Sequence, residues 1–127
     1  MLALLISEPL GPWRAPLTLV HWALRIEPSL DDVSLDRVRS ALGLNSSGRL
    51  TDSWNELFGE ARWSVGGRYA TVELWRDVDT AEWRVDVEFS TDVPVADVEP
   101  FVQQIRAGLE GAGLEVTSAY RRPSGRT

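Results

Sequence analysis

The sequence predicts one α+β domain in which an antiparallel sheet carries two helices on one face. Apolar and polar residues alternate over residues 17–27, 68–76 and 82–90, as in strands that have one buried and one exposed face. Two other segments, after Ser34 and after Asp97, repeat apolar residues at helical spacing. The chain has 127 residues, a length that fits one domain with a core of its own.

The first third of the chain is predicted to contain an edge segment, a central strand and a helix. We expect residues 1–16 to form the edge segment, with a short strand over 1–7 followed by a proline-rich loop. The alternation over 17–27 predicts the central strand. Ser34 is the predicted N-cap of the helix and Gly43 its predicted end, because serine caps helix starts and glycine accepts the left-handed conformation that follows a helix.

Residues 44–67 are predicted to form an insertion before the second core strand. Ser53 and Glu56 have the spacing of a capping box, which predicts a short helix that ends at Gly59. A short strand is expected to follow over 62–65.

Two consecutive hairpins are predicted in the middle of the chain. The Gly66–Gly67 pair favours the positive φ angles of a tight turn, and residues 77–80 have the composition of a four-residue loop. In the second hairpin we expect Glu73 to lie opposite Arg84, because opposite charges attract across a sheet. A register shifted by two residues would instead place Glu73 against Asp86, a repulsive pair.

The last quarter of the chain is predicted to form a helix, a strand and a flexible tail. Asp97 is the expected cap of the helix, Gly111 its expected end, 114–120 the last strand and 121–127 the tail. The apolar stripe of this helix consists of Val98, Phe101, Val102, Ile105 and Leu109. It is the clearest helical pattern in the sequence.

The predicted order is strand, helix, insertion, strand, strand, helix, strand. This is the order of a split βαβ unit, so we expect a ferredoxin-like arrangement with a short helix and strand inserted. A competing arrangement makes 62–90 a three-stranded meander with the helices packed across it. Because proteins of this architecture have many unrelated functions, the order says little about function.

The composition excludes several kinds of chemistry. There is no cysteine, which excludes disulfides, thiolate nucleophiles and cysteine-ligated zinc. All thirteen basic side chains are arginine, so lysine chemistry is excluded as well. His21 is the only histidine, and no G-x-S-x-G turn is present. We therefore expect no metal and no cofactor, and we favour a non-catalytic protein over an enzyme.

The negative charge is concentrated in one predicted hairpin and its exit loop. Residues 73–99 contain nine acidic residues and two arginines, whereas the whole chain has a net charge of −6. An acidic stripe beside aromatic residues indicates a docking surface for a basic partner. The predicted partner-binding residues are Tyr69, Glu73, Trp75, Glu82, Arg84, Asp86 and Glu88.

These observations favour a small acidic protein-binding module of the inhibitor, immunity or adaptor type. The expected partner is a protein with a basic surface, or a second copy of the chain. Two other functions remain open: a ferredoxin-like homodimeric enzyme or ligand-binding protein with a pocket near Trp22, Trp83 and Phe101, and a structural subunit of a phage or secretion apparatus. The aromatic sheet face is equally consistent with cover by residues 1–13 or by the inserted segment.

Nucleic acid and membrane are not expected partners. The arginines of the tail form a short group beside an acidic body, which disfavours nucleic-acid binding. No stretch approaches the roughly 20 apolar residues that cross a bilayer. The sequence therefore predicts a cytoplasmic location.

Overall fold

Six strands and two helices make up the described part of the chain in the computed structural model, which describes residues 21–45, 49–50, 55–90 and 92–122. The elements are β1 His21–Glu27, α1 Asp32–Leu42, β2 Arg49–Leu50, β3 Asn55–Val65, β4 Arg68–Asp77, β5 Trp83–Phe89, α2 Val95–Gly111 and β6 Glu115–Arg122. The predicted strand at 1–7 and the rest of the predicted edge segment lie outside the described residues. So do 123–127 of the predicted tail, while Arg121 and Arg122 belong to β6.

The strands form one antiparallel sheet in the order β2-β3-β4-β5-β1-β6. Five of them are longer strands, and β2 adds two residues at one edge. The chain is thus a small α+β domain with one antiparallel sheet and two helices. β1 lies between β5 and β6, so the first strand pairs with the strand before α2 and with the strand after it.

One face of the sheet forms the hydrophobic core together with both helices. The buried core residues include Leu24, Val38, Leu42, Val72, Leu74, Val85, Val87, Phe89, Phe101, Val102, Ile105 and Leu109. All five residues of the predicted α2 stripe are buried, which confirms that prediction. Phe101 lies at the centre of an aromatic group, with ring centroids 5.7 Å from both Phe89 and Trp63. Burial of these apolar side chains is the main stabilising contribution to the fold.

Both helices begin earlier than the sequence pattern predicted. The N-cap of α1 is Asp31, whose Oδ1 accepts from the backbone N–H of Ser34 at 2.8 Å, while the hydroxyl of Ser34 accepts from the N–H of Asp31 at 2.8 Å. Ser34 is therefore the distal member of a capping box and not the cap. In α2 the N-cap is Pro94, and Asp97 lies in the first turn. The predicted end of α1 is confirmed, since Gly43 has a left-handed φ of 66°.

The predicted short helix ending at Gly59 is wrong for the part of it that the structure describes. Residues Asn55–Val65 form the eleven-residue strand β3, which pairs with β4 along its length. Gly59 lies at a register shift in that pairing and has a φ of 158°. Backbone hydrogen bonding explains the position, because the N–H of Asn45 donates to the carbonyl of Glu60 at 3.1 Å. Gly59 permits this close approach of two backbones and does not end a helix.

Two side-chain hydrogen bonds attach β3 to the C-terminal half of α1. Arg39 Nε donates to the carbonyl oxygen of Phe58 at 2.8 Å, and Trp63 Nε1 donates to the carbonyl oxygen of Leu42 at 3.1 Å. The second bond also supplies a donor to one of the last carbonyls of the helix, which lack partners within the helix itself. Tertiary contacts thus favour a strand here over the local helical signal.

The two hairpins differ in how well their turns were predicted. The Gly66–Gly67 turn is confirmed, with φ values of 56° and 78°. In the second hairpin Glu73 lies opposite Asp86, so the predicted pairing of Glu73 with Arg84 is wrong by two residues. The chain reverses between Asp77, whose N–H donates to the carbonyl of Glu82 at 2.8 Å, and Glu82, so the four-residue loop is 78–81 and not 77–80.

We predict that Gly59→Ala lowers the free energy of unfolding by about 2 kcal/mol or more, because the new methyl group would lie 2.7 Å from the backbone oxygen of Asn45. The control is Gly111→Ala, at a helical position with no atom within 4 Å of the added carbon, which should leave stability unchanged or raise it by up to about 1 kcal/mol. Urea unfolding of both variants measures the difference. Equal effects in the two variants would contradict this account of Gly59.

Candidate functional site

The face of the sheet away from the helices carries a group of carboxylates on adjoining strands. Residues directly opposite each other on antiparallel strands point to the same face. Glu60 lies opposite Glu73, and Glu73 lies opposite Asp86, which makes a continuous row across β3, β4 and β5. Glu88 follows two residues after Asp86 on the same face. We refer to Glu60, Glu73, Asp86 and Glu88 as the acidic face.

Neighbouring polar side chains hold two of these carboxylates in place. Trp75 Nε1 donates a hydrogen bond to Oε1 of Glu73 at 3.1 Å. Arg84 Nε donates to Oδ1 of Asp86 at 3.0 Å, and its Nη1 donates to Oδ1 of Asn55 at 3.1 Å. The guanidinium of Arg84 lies 5.8 Å from the ring centroid of Trp75. One arginine therefore fixes β5 to β3 across the intervening strand.

Burial, and after it the crowding of like charges, shifts the pKa of Glu73. Burial raises the pKa of Glu73 above its ordinary value of 4.5, and the charges of Asp86, Glu88 and Glu60 raise it further. The hydrogen bond from Trp75 acts in the opposite direction. The ionised form of Glu73 is therefore less favourable in the folded chain than in the unfolded chain.

His21 lies beside the acidic face. It is opposite Glu88 in the pairing of β1 with β5, and its Nε2 is 3.3 Å from Oδ2 of Asp86. This is an ion-pair distance, although Nε2 is not aligned for a hydrogen bond. His21 is 8% exposed and Asp86 is 5% exposed. The imidazole and the carboxylate thus form a buried contact whose strength depends on the proton of the ring.

The structure brings together most of the predicted partner-binding residues. Glu73, Trp75, Arg84, Asp86 and Glu88 lie on this face as neighbours. Asp86 is buried, so its carboxylate does not project into solvent as the sequence pattern suggested.

The other two predicted residues lie at opposite ends of the hairpin. Tyr69 is 43% exposed, with the guanidinium of Arg62 stacked 4.4 Å from its ring centroid. Glu82 is near the turn and forms an ion pair of 3.3 Å with Arg25. Both ion-pair partners are half-exposed, so this contact contributes little to stability.

Sequence reasoning missed Glu60 as a member of the acidic face. Glu60 belongs to β3, where the sequence pattern predicts a helix and an insertion, so that pattern gives Glu60 no cross-strand partner. The alternation of β3 against a correctly placed β4 would have found it.

The aromatic residues expected to line a pocket are packed in the core instead. Trp83 is 5% exposed, and its ring centroid is 4.9 Å from that of Phe58. Phe101 is also 5% exposed and packs against Phe89 and Trp63. These rings stabilise the fold and do not offer a contact surface.

Within residues 21–45, 49–50, 55–90 and 92–122, no group of three or more His, Asp or Glu side chains is arranged to hold a metal ion. None of the helices in this part of the chain is long and apolar enough to span a membrane. Comparison with protein-family models, curated protein sequences and solved structures finds no match.

We predict that Glu73→Gln stabilises the fold at pH 7 by roughly 0.5 kcal/mol, the usual size of one repulsive cross-strand pair. The glutamine oxygen can still accept from Trp75. The folded-state pKa of Glu73 lies above 4.5, so its unfavourable contribution is absent below that pH, grows as the pH rises through the folded pKa and is complete above it. The gain from the substitution should therefore appear at pH 7 and shrink towards pH 4 in urea unfolding.

The control for this measurement is Glu115→Gln, which neutralises an exposed carboxylate at the start of β6. It should change stability by only a few tenths of a kcal/mol at either pH. A Glu73→Gln variant that is less stable than the parent chain at pH 7 would contradict the assignment of repulsion to Glu73.

Proposed function

We propose that this chain is a small non-catalytic binding module whose acidic face receives an arginine- or lysine-bearing segment of a protein partner. The observation that carries the proposal is the row of Glu60, Glu73 and Asp86, directly opposite one another on three strands. Like charges in such positions destabilise a sheet. A cationic side chain bound over the row would reduce that repulsion. The same carboxylates would therefore attract the cation and be stabilised by it.

Aromatic side chains beside the row support the same proposal. Trp75 contacts Glu73 through its N–H, and Tyr69 is exposed farther along β4. Aromatic faces attract guanidinium and ammonium groups, so both rings favour the cations that the carboxylates favour. Trp and Tyr are also the residues most enriched at the centres of protein interfaces.

The distribution of charge supports an electrostatic mode of encounter. Nine of the acidic residues lie within 73–99, and the chain as a whole has a net charge of −6. A concentrated field of one sign speeds association with a basic partner at low salt and loses this effect as salt is added. An inhibitor or immunity protein that acts on a basic target, or an adaptor for one, would use these properties. We expect such a module in the cytoplasm.

We also propose that β1, β4, β5 and β6, with α1 and α2, form a ferredoxin-like split βαβ unit, to which β2 and β3 are added beyond β4. What supports this proposal is the order β4-β5-β1-β6 within the sheet. The added strand β3 brings Glu60 beside Glu73. In this view the addition to the ferredoxin-like core extends the acidic face from two strands to three.

We predict that a synthetic peptide of five Arg-Gly repeats binds the chain at low salt and that Glu60→Gln with Glu73→Gln weakens this binding at least tenfold. Both substitutions retain the shape of the side chain and remove a charge from the part of the row that is only partly buried. Isothermal titration calorimetry at 20 mM and 200 mM salt measures the affinity and its salt dependence.

The matched control neutralises two carboxylates on the exposed surface of α2, with Glu99→Gln and Glu110→Gln. It has the same net charge as the test variant and should bind the peptide within about threefold of the parent chain at 200 mM salt, where surface charges more than about 10 Å away are largely screened. Absence of binding by the parent chain, or equal weakening in the control, would refute the proposed site.

A further inference from the structure

His21 is positioned so that its protonation changes the charge of the acidic face. Its Nε2 lies 3.3 Å from Oδ2 of Asp86, and both side chains are more than nine-tenths buried by residue exposure. In the neutral ring Nε2 carries either a lone pair or the single ring proton, so the ring brings no net positive charge to Asp86. A protonated ring places a positive charge against Asp86. The contact with Asp86 is therefore more favourable when the ring is protonated than when it is neutral.

The charged groups around the ring come from each strand that packs beside it. Those on the same face are Arg25 on β1, Arg84, Asp86 and Glu88 on β5, and Glu73 on β4. On β6 the register partner of His21 is Arg122, whose side chain lies outside the description. Arg84 Nε donates to Oδ1 of Asp86, which is not the carboxylate oxygen that faces the histidine.

We propose that proton uptake by His21 releases the basic segment from the acidic face, so that the module binds this segment at pH 8 and releases it at pH 5.5. The proposal rests on the function proposed above and adds its regulation. A charge on the ring cancels part of the field that attracts the partner, and at the short distances within one sheet face this effect is large. Imidazole is the side chain whose ordinary titration falls in this range of pH.

Glu73 responds to acid in the same direction. Its pKa is raised by burial and by its acidic neighbours, so it takes up a proton at higher pH than an ordinary glutamate does. Acidification thus removes negative charge at Glu73 and adds positive charge at His21, and both changes weaken the attraction for a cation.

The test measures the affinity for the peptide of five Arg-Gly repeats at pH 8 and at pH 5.5, in the parent chain and in His21→Gln. We expect the parent chain to lose about tenfold in affinity at pH 5.5 and the variant to lose about threefold or less, which is the part that Glu73 contributes. No binding by the parent chain at pH 8 would refute the proposed function itself. Binding at pH 8 with the same acid loss in both proteins, or with no loss in the parent, would overturn only the switch.

A second measurement requires no substitution. Because the chain has one histidine, its ring resonances in an NMR titration are unambiguous. Linkage requires that a ligand which binds the neutral ring more tightly lowers the pH at which the ring titrates. We expect the midpoint of the ring signal to move to lower pH when the peptide is added. A midpoint that stays in place or moves to higher pH would overturn the proposal.

Discussion

The turn at Asp77 is the constraint on which the acidic face depends, because it sets the register of β4 against β5. Oδ1 of Asp77 accepts from the backbone N–H groups of Asp79 and Thr80, both at 2.9 Å, and the N–H of Asp77 donates to the carbonyl of Glu82. These bonds hold the pKa of Asp77 below its ordinary value, chiefly through the N–H of Thr80. The turn completes the loop with Ala81 at a φ of 61°, a conformation that alanine adopts only under constraint.

The hydrophobic core does not by itself select this register. A slip by two residues keeps every side chain on its own face, since the side-chain period of a strand is two. In the predicted register Leu74 would lie opposite Trp83, and in the observed one it lies opposite Val85. Both pairs are apolar and both can be buried. The closure of the turn therefore outweighs the repulsion of Glu73 and Asp86, which is worth only some tenths of a kcal/mol in a partly solvated pair.

The sequence predicted the elements whose patterns are local and repeated. It did not predict elements whose secondary structure depends on contacts with residues far along the chain. The stripe of α2 and the Gly66–Gly67 turn are fixed by spacing and by positive φ, and both were found. The strand β3 was missed because the helical signal from Ser53 to Glu56 is local, whereas pairing with β4 and the bonds to α1 involve residues far along the chain. Once β3 was missed, Glu60 could not be assigned to the site. The predicted position of the loop next to Asp77 differs from the observed one by one residue, because several turn types fit the same polar composition.

The carboxylates of the acidic face differ in what already neutralises them. Asp86 has the guanidinium of Arg84 on one oxygen, so part of its charge is balanced within the fold. The hydrogen bond to Glu73 comes from an uncharged indole, which stabilises an anion less than a guanidinium does. An added cation therefore gains more at Glu73 than at Asp86, even though the two are direct neighbours. The strands fix Glu73 between Glu60 and Asp86, so the chain cannot reduce this repulsion by moving the carboxylates apart. A proton on Glu73 or a cation bound beside it would reduce this repulsion, and these two would compete for the same charge.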